Sequence, residues 1–224
     1  MKLAIAEKFH SIQGEGRWTG TPMFFIRTAG CSVGKLPELA PGAEEPFPVL
    51  KTGKDAWFCH TYDGRGFWCD TDFNKKQEIE IGELLNEVTE RHVCITGGEP
   101  LIHREAVDDL ISLAVSRKIK IHIETSGTIN WPCPLGVWVT VSPKAGVLDS
   151  MLNLCDEVKL LVDGEFDESK IPFLEALCYK EVYLQPINSE TALDMENVRY
   201  VLQALGRHPE WKLSIQLHKI LGLR

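Results

Sequence analysis

The chain has 224 residues, which suits one domain with a sizeable core. Apolar residues make up 44%, charged residues 25%, and the net charge is −8, a balance that argues against a nucleic-acid binder. No apolar run approaches the roughly 20 residues that span a bilayer, and Met1-Lys2-Leu3-Ala4-Ile5-Ala6-Glu7-Lys8 turns charged too soon for a signal peptide. The expectation is a cytoplasmic protein with no nucleic-acid and no membrane partner. In a reducing compartment its seven cysteines serve as metal ligands, catalytic groups or core filler rather than disulfides.

Along the chain, Gln13-Gly14-Glu15-Gly16 reads as a glycine turn without dinucleotide or phosphate-loop spacing. The run Met23–Thr28 predicts a strand that carries Arg27 near its end. An arginine there needs an anion, and both a substrate carboxylate and an internal Asp or Glu fit. Residues 31–75 have little regular periodicity and predict a long irregular loop, whose three cysteines favour function. Ile81, Leu84, Leu85 and Val88 then share a helical face. The strand Val93–Thr96 leads into Thr96-Gly97-Gly98-Glu99-Pro100, whose glycines allow close backbone approach and whose Glu99 suits an ammonium group; a tight strand-to-helix turn fits as well.

A helix on Val107, Leu110, Ile111 and Ala114 follows, then strands at Ile119–Glu124 and Val137–Val141 with no helix between them. Further strands are predicted at Val158–Val162, Val182–Gln185 and Lys212–Leu217. Helical faces fall on Ile171, Leu174 and Cys178 and on Val198, Val201, Leu202 and Leu205, and Asp163, Glu165, Asp167 and Glu168 read as a solvated acidic turn. This alternation predicts an α/β fold, a partial TIM-like barrel of about six parallel strands with outer helices, forming one domain over residues 1–224. An open doubly wound sheet fits the same pattern. In either case Arg27, Cys31, the turn at 96–100, Glu124-Thr125-Ser126-Gly127, Ser142-Pro143-Lys144 and Gln185-Pro186 all fall at carboxyl ends of strands, where ligands bind.

Cys31, Cys59 and Cys69 have the spacing C-x27-C-x9-C. On spacing alone, an iron–sulfur cluster, a zinc site closed by His60 and plain thiols all fit. Cys94, Cys133, Cys155 and Cys178 read as core residues. His10, His122, His208 and His218 have no metal-ligand spacing and read as surface residues or supports of a site.

Together these segments resemble the radical S-adenosylmethionine superfamily. Phe9–Gly16, Arg27–Cys31, Cys69–Phe73, Thr96–Pro100, Glu124–Gly127, Val141–Lys144, Gln185-Pro186 and Gln216–Lys219 more narrowly resemble the 7-carboxy-7-deazaguanine synthase family. That family converts 6-carboxy-5,6,7,8-tetrahydropterin into 7-carboxy-7-deazaguanine with loss of ammonia, on the route to queuosine. The resemblance implies a homodimer with a 4Fe–4S cluster, S-adenosylmethionine and Mg2+, fed by a reductase such as flavodoxin. It places the cluster on Cys31, Cys59 and Cys69. S-adenosylmethionine falls on Gly98, Glu124, Ser142, Pro143, Lys144, Gln185, Pro186, Ile187 and Asn188. The pterin falls on Ile12, Gln13, Gly14, Arg27, Thr96 and Arg224, and Mg2+ on Thr71. The implied chemistry is one-electron cleavage of the sulfonium C–S bond, then removal of hydrogen from C6 of the pterin. The family spacing is C-x3-C-x2-C or a form lengthened in its first gap; here both gaps are long, and Cys59 is the only other cysteine in the loop. Two further readings are a glycyl-radical activase acting on a protein and a non-enzymatic zinc-binding module.

Overall fold

Strand parity divides the residues of the central sheet into an aliphatic core face and a second face that is aromatic at its amino end and polar at its carboxyl end. The computed structural model describes residues 1–33, 57–69, 71–72, 75–189 and 192–223. Its strands are β1 (Lys2–Ile12), β2 (Pro22–Thr28), β3 (Trp57–His60), β4 (Gly66–Cys69), β5 (Gln77–Glu80), β6 (His92–Gly97), β7 (Lys120–Thr125), β8 (Trp138–Val141), β9 (Glu157–Val162), β10 (Glu181–Pro186) and β11 (Lys212–Leu213). Nine of them form one sheet in the order β11-β10-β9-β8-β7-β6-β2-β1-β5. From β2 to β11 every pairing is parallel, while β1 runs antiparallel to both β2 and β5. The parallel part is thus the expected six strands plus a two-residue seventh, and the sheet does not close into a barrel among the described residues.

Phe24, Ile26, Val93, Ile95, Ile121, Ile123, Val139, Val141, Val158, Leu160, Val162, Val182 and Leu184 occupy one face and are almost fully buried. They pack with Leu84 and Leu85 of α1 (Ile81–Asn86), Val107, Leu110 and Ile111 of α2 (Arg104–Ser116), and Val201 and Ala204 of α4 (Met195–Arg207). A helix not foreseen, α3 (Asp149–Leu154), adds Met151 and Leu152 to this layer. The alternate residues point to the concave face, since successive strand side chains take opposite sides. At the amino end of that face Trp18, His92, His122 and Trp138 form an aromatic plug, with ring centroids 5.0–5.6 Å from Trp18. His122 is therefore a buried plug residue and not a surface one. Higher up, the concave face is polar: Arg27, Thr96, Glu124, Lys159 and Gln185.

The structure changes several expectations. The loop over residues 31–75 contains a regular antiparallel hairpin, β3–β4. The strand Lys212–Leu217 shortens to Lys212–Leu213, because Ser214 turns inward to donate to Gln185 at 3.0 Å and accept from Gly16 N–H at 3.0 Å. The remainder enters a short helix, α5 (Leu217–Leu221). The predicted helix around Ile171 is two 3-10 turns, Glu168–Lys170 and Leu174–Tyr179, with Pro172 between them restricting the preceding residue to extended backbone. Of the four cysteines read as core, Cys178 is consequently exposed and Cys133 half-buried, while Cys94 and Cys155 are buried. Within the acidic stretch Asp163 and Glu168 are in ion pairs with Arg65 and Arg207.

Candidate active site

Two adjoining cavities open at the carboxyl ends of the parallel strands. The first, about 200 Å³, is lined by all three loop cysteines together with Gly98, Ser142, Lys144, Gln185, Pro186, Ile187 and Asn188. The second, about 120 Å³, is lined by Ile12, Gln13, Gly14, Arg27, Thr71 and Thr96, with Phe9, Phe25 and His218. Glu15, Thr96, Glu124 and Gln216 line both and form the common wall. Strands distant in sequence thus converge on one continuous space. Pro143 is buried between Ser142 and Lys144 and does not line the cavity. Arg224 lies outside the described residues, as do Asp70 and Phe73 of the Cys69–Phe73 motif.

The hairpin explains how two cysteines separated by a long gap meet. Trp57 pairs with Cys69 and Cys59 with Phe67, so Cys59 and Cys69 are diagonal neighbours on one face. Such neighbours lie about 7–8 Å apart. His60, next in the strand, takes the opposite face and is exposed, so it does not close a tetrahedral set with Cys59. Among the described residues no three His, Cys, Asp or Glu side chains gather as tightly as a single ion requires. A cubane distributes its thiolates over separate irons and asks for wider spacing.

Lys144 is buried beside all three thiols and stacks over the Phe67 ring at 5.1 Å. Burial pushes the Cys59 thiol up, and the Lys144 charge pulls it back. In turn, burial lowers the Lys144 ammonium, against the charges of Cys59, Cys69 and Cys31. A neighbouring cation of this kind favours thiolate, the form that ligates iron.

The turn after β6 brings bare backbone against the first cysteine. A Cβ on Gly98 would stand 1.9 Å from the Gly30 carbonyl oxygen and 2.9 Å from Cys31 Cβ. Gly97 holds φ +131°, with Thr28 backbone so close that no side chain fits. Glu99 does not face the cavity as expected. It is fully buried and accepts from Leu101 N–H at 3.1 Å, Thr125 Oγ1 at 2.8 Å and Ser126 N–H at 2.8 Å.

The common wall is a buried polar network. Lys159 donates to Glu15 and lies 3.7 Å from Glu124. Glu124 also accepts from Gln13 Nε2 at 3.0 Å and Thr96 Oγ1 at 3.2 Å. Glu15 accepts from Gln216 Nε2 at 2.9 Å and Gln185 Nε2 at 3.3 Å. Burial works against charge on Glu15, yet Lys159 wins and holds its carboxyl down to about 2. Lys159 is in turn raised: burial opposes its charge, and Glu124 and Glu15 overcome it. Sequence reading missed both members, since Lys159 sits inside an apolar strand run and Glu15 inside a glycine turn. A lysine in a fully buried strand is itself the signal, because such a charge requires a partner.

In the second cavity Arg27 donates from Nη1 to Thr71 Oγ1 at 3.0 Å and has Glu7 at 3.5 Å, while its Nε is buried with no hydrogen-bond acceptor. Such a group is costly unless a ligand pairs with it. At Gly14 a Cβ would strike His218 Nδ1 at 2.3 Å, so the absent side chain admits the C-terminal turn to the cavity. His218 therefore lines the site.

A parallel α/β sheet carrying three cysteines, a glycine cradle and an adjoining polar cavity at its carboxyl end defines a radical S-adenosylmethionine enzyme. Comparison with known proteins agrees. The family model "4Fe-4S single cluster domain" matches residues 57–176, a span that includes Cys59 and Cys69. The chain is similar to the 7-carboxy-7-deazaguanine synthase of Bacteroides thetaiotaomicron, 33% identical with all of both chains covered. The enzyme of that name from Bradyrhizobium diazoefficiens is 31% identical, again with both chains fully covered. The crystal structure of QueE from Escherichia coli superimposes with a TM-score of 0.70 at 29% identity, covering 97% of this chain and 95% of that one. This chain belongs to the 7-carboxy-7-deazaguanine synthase family.

Proposed function

We propose that this protein converts 6-carboxy-5,6,7,8-tetrahydropterin into 7-carboxy-7-deazaguanine and ammonia, in the queuosine route. The observation that carries this reading is the pair of cavities with a common wall, cysteines in one and the partly unsatisfied Arg27 guanidinium in the other. Product and substrate differ by one ammonia, so the reaction needs no net oxidant.

Cys31, Cys59 and Cys69 hold the 4Fe–4S cluster in this reading. Gly98, Ser142, Lys144 and the run Gln185–Asn188 receive S-adenosylmethionine. When bound, the two together supply one-electron bond cleavage and hydrogen-atom abstraction. The chain's own residues do the rest. Arg27 pairs its planar fork with the pterin carboxylate. Gln13 and Thr96 hold Glu124 in place at the common wall, and Glu124 orients polar N–H groups of the substrate. Lys159 holds the Glu15 carboxyl in its charged form and pairs with Glu124 across the common wall. Thr71 offers one of the about six oxygens that Mg2+ takes, and its hydroxyl already accepts from Arg27. The described residues do not by themselves build a magnesium site, and no step is assigned to that ion. Homodimerisation, a flavodoxin-like electron donor and a cytoplasmic location belong to the same reading; among the described residues no helix is long and apolar enough to cross a membrane.

The test is anaerobic incubation of reconstituted protein with S-adenosylmethionine, a reductant and the carboxypterin, followed by mass detection of product. The deazaguanine is expected, with S-adenosylmethionine not consumed in proportion. No product from protein that holds its full cluster would sink the assignment.

A further inference from the structure

A buried arginine at the turn of the β3–β4 hairpin makes polar contacts to the end of β9. This residue, Arg65, is only 9% exposed. Its Nε donates to Asp63 at 2.8 Å, its Nη1 to Asp163 at 2.6 Å just past the end of β9, and its Nη2 to the Leu161 carbonyl of β9 at 3.0 Å. The guanidinium also lies 5.5 Å from the Phe166 ring. Around it the turn is well defined: Gly64 N–H donates to Thr61 O at 3.1 Å, with Gly64 at φ +87°. Thr61 makes an isolated antiparallel bridge to Lys144, and Tyr62 packs edge-on against Phe173 at 5.1 Å.

The sequence gap between Cys59 and Cys69 thus does a specific job. It forms a hairpin whose two strands carry one cysteine each on the same face, Cys59 near the turn and Cys69 at the open end, and whose turn carries the anchor. From this geometry we propose that Arg65 is a positioning residue for the iron–sulfur site, clamping the hairpin to the end of β9 so that Cys59 and Cys69 face Cys31 before any iron arrives. A planar guanidinium suits the role because it joins two carboxylates and a carbonyl at once; a lysine ammonium lacks this fork. The inference rests on the cysteine assignment above, and its test separates the two.

The test is alkylation of cluster-free protein under reducing conditions, read per cysteine by mass spectrometry. Exposed Cys178 serves as the fast reference and core Cys94 as the fold reference. In the wild type, Cys59 should react slowly, since it is buried. Arg65→Ala and Arg65→Lys should each speed Cys59 by about tenfold or more, with Cys94 still protected. The same variants, reconstituted, should lose iron faster to a chelator than the wild type does. An unchanged Cys59 rate in Arg65→Ala would overturn the proposal. If Arg65→Ala also exposes Cys94, Asp163→Ala decides, because it removes the Nη1 acceptor and leaves the Asp63 contact in place: faster Cys59 with Cys94 protected supports the clamp, and an unchanged rate refutes it. Wild-type protein that takes up no iron would count against the cluster reading alone, since the cluster-free alkylation still reports on the hairpin.

Discussion

The Glu99 carboxylate accepts from the Ser126 backbone N–H at 2.8 Å, which ties the turn after β6 to the turn after β7. Thr125 Oγ1 reaches the same group at 2.8 Å, so two cavity-lining turns are held by one buried side chain. Glu99→Gln replaces an acceptor oxygen with a donor facing N–H groups. We expect a loss of about 2–3 kcal/mol in urea unfolding, the cost of leaving buried donors unsatisfied. A loss below about 0.5 kcal/mol would mean that the two turns are held elsewhere.

Arg27→Ala should leave folding and cluster content intact and reduce kcat/KM by about 30-fold or more, as loss of a charged pairing costs about 2–5 kcal/mol. Arg27→Lys should recover little of this, because the paired fork is lost. Steady-state kinetics on the carboxypterin provide the check. Full carboxypterin turnover in Arg27→Ala would show that Arg27 does not hold the substrate carboxylate.

Lys159 and Glu15 form a buried ion pair, and removing one member strands the other. Lys159→Met alone should cost about 3–5 kcal/mol. The double variant Lys159→Met with Glu15→Gln should recover much of that loss. Equal and additive effects in this double-mutant cycle would show that the pair is not coupled.

Glu157, one strand step pair below Lys159, gives a pH signature. It is buried and accepts from Arg17 N–H at 3.0 Å. Burial raises its carboxyl to about 7 from an ordinary value of 4.5, although Lys159 opposes the rise. Between those values the folded chain holds a proton that the unfolded chain has released, so this group's contribution is full below 4.5 and is lost as pH rises through 7. Glu157→Gln removes that loss. Relative to wild type, the variant should gain about 2 kcal/mol in urea unfolding on going from about pH 5 to about pH 7.5. Parallel stability curves for the two proteins would contradict this.

Much of the architecture was legible because apolar parity survives in the sequence. Val93–Thr96, Ile119–Glu124 and Val158–Val162 read as strands since one face of each is wholly apolar. The missing helix between β7 and β8 showed as a short link rich in Gly, Asn and Pro. What stayed hidden depends on tertiary pairing. β5 is four residues long and has only Ile79 buried, so it has no pattern to read. The β3–β4 hairpin meets β9 through Arg65 and the Leu161 carbonyl, a contact across 96 positions. In the site, Arg27, Thr96, Gly98 and Lys144 were readable at strand ends. Lys159 and Glu15 were not, because each lies within a segment whose local pattern has another sufficient explanation.

In the proposed site Cys31, Cys59 and Cys69 act together as the cluster's protein ligands. The most direct measurement is iron and acid-labile sulfide per chain after anaerobic reconstitution, with electron paramagnetic resonance of the reduced protein before and after adding S-adenosylmethionine. Wild type and Cys94→Ala should hold about four irons and show a signal that shifts on addition, while Ala at position 31, 59 or 69 should abolish both. Full iron and an unchanged signal in Cys59→Ala, or a single zinc in the wild type, would contradict the account.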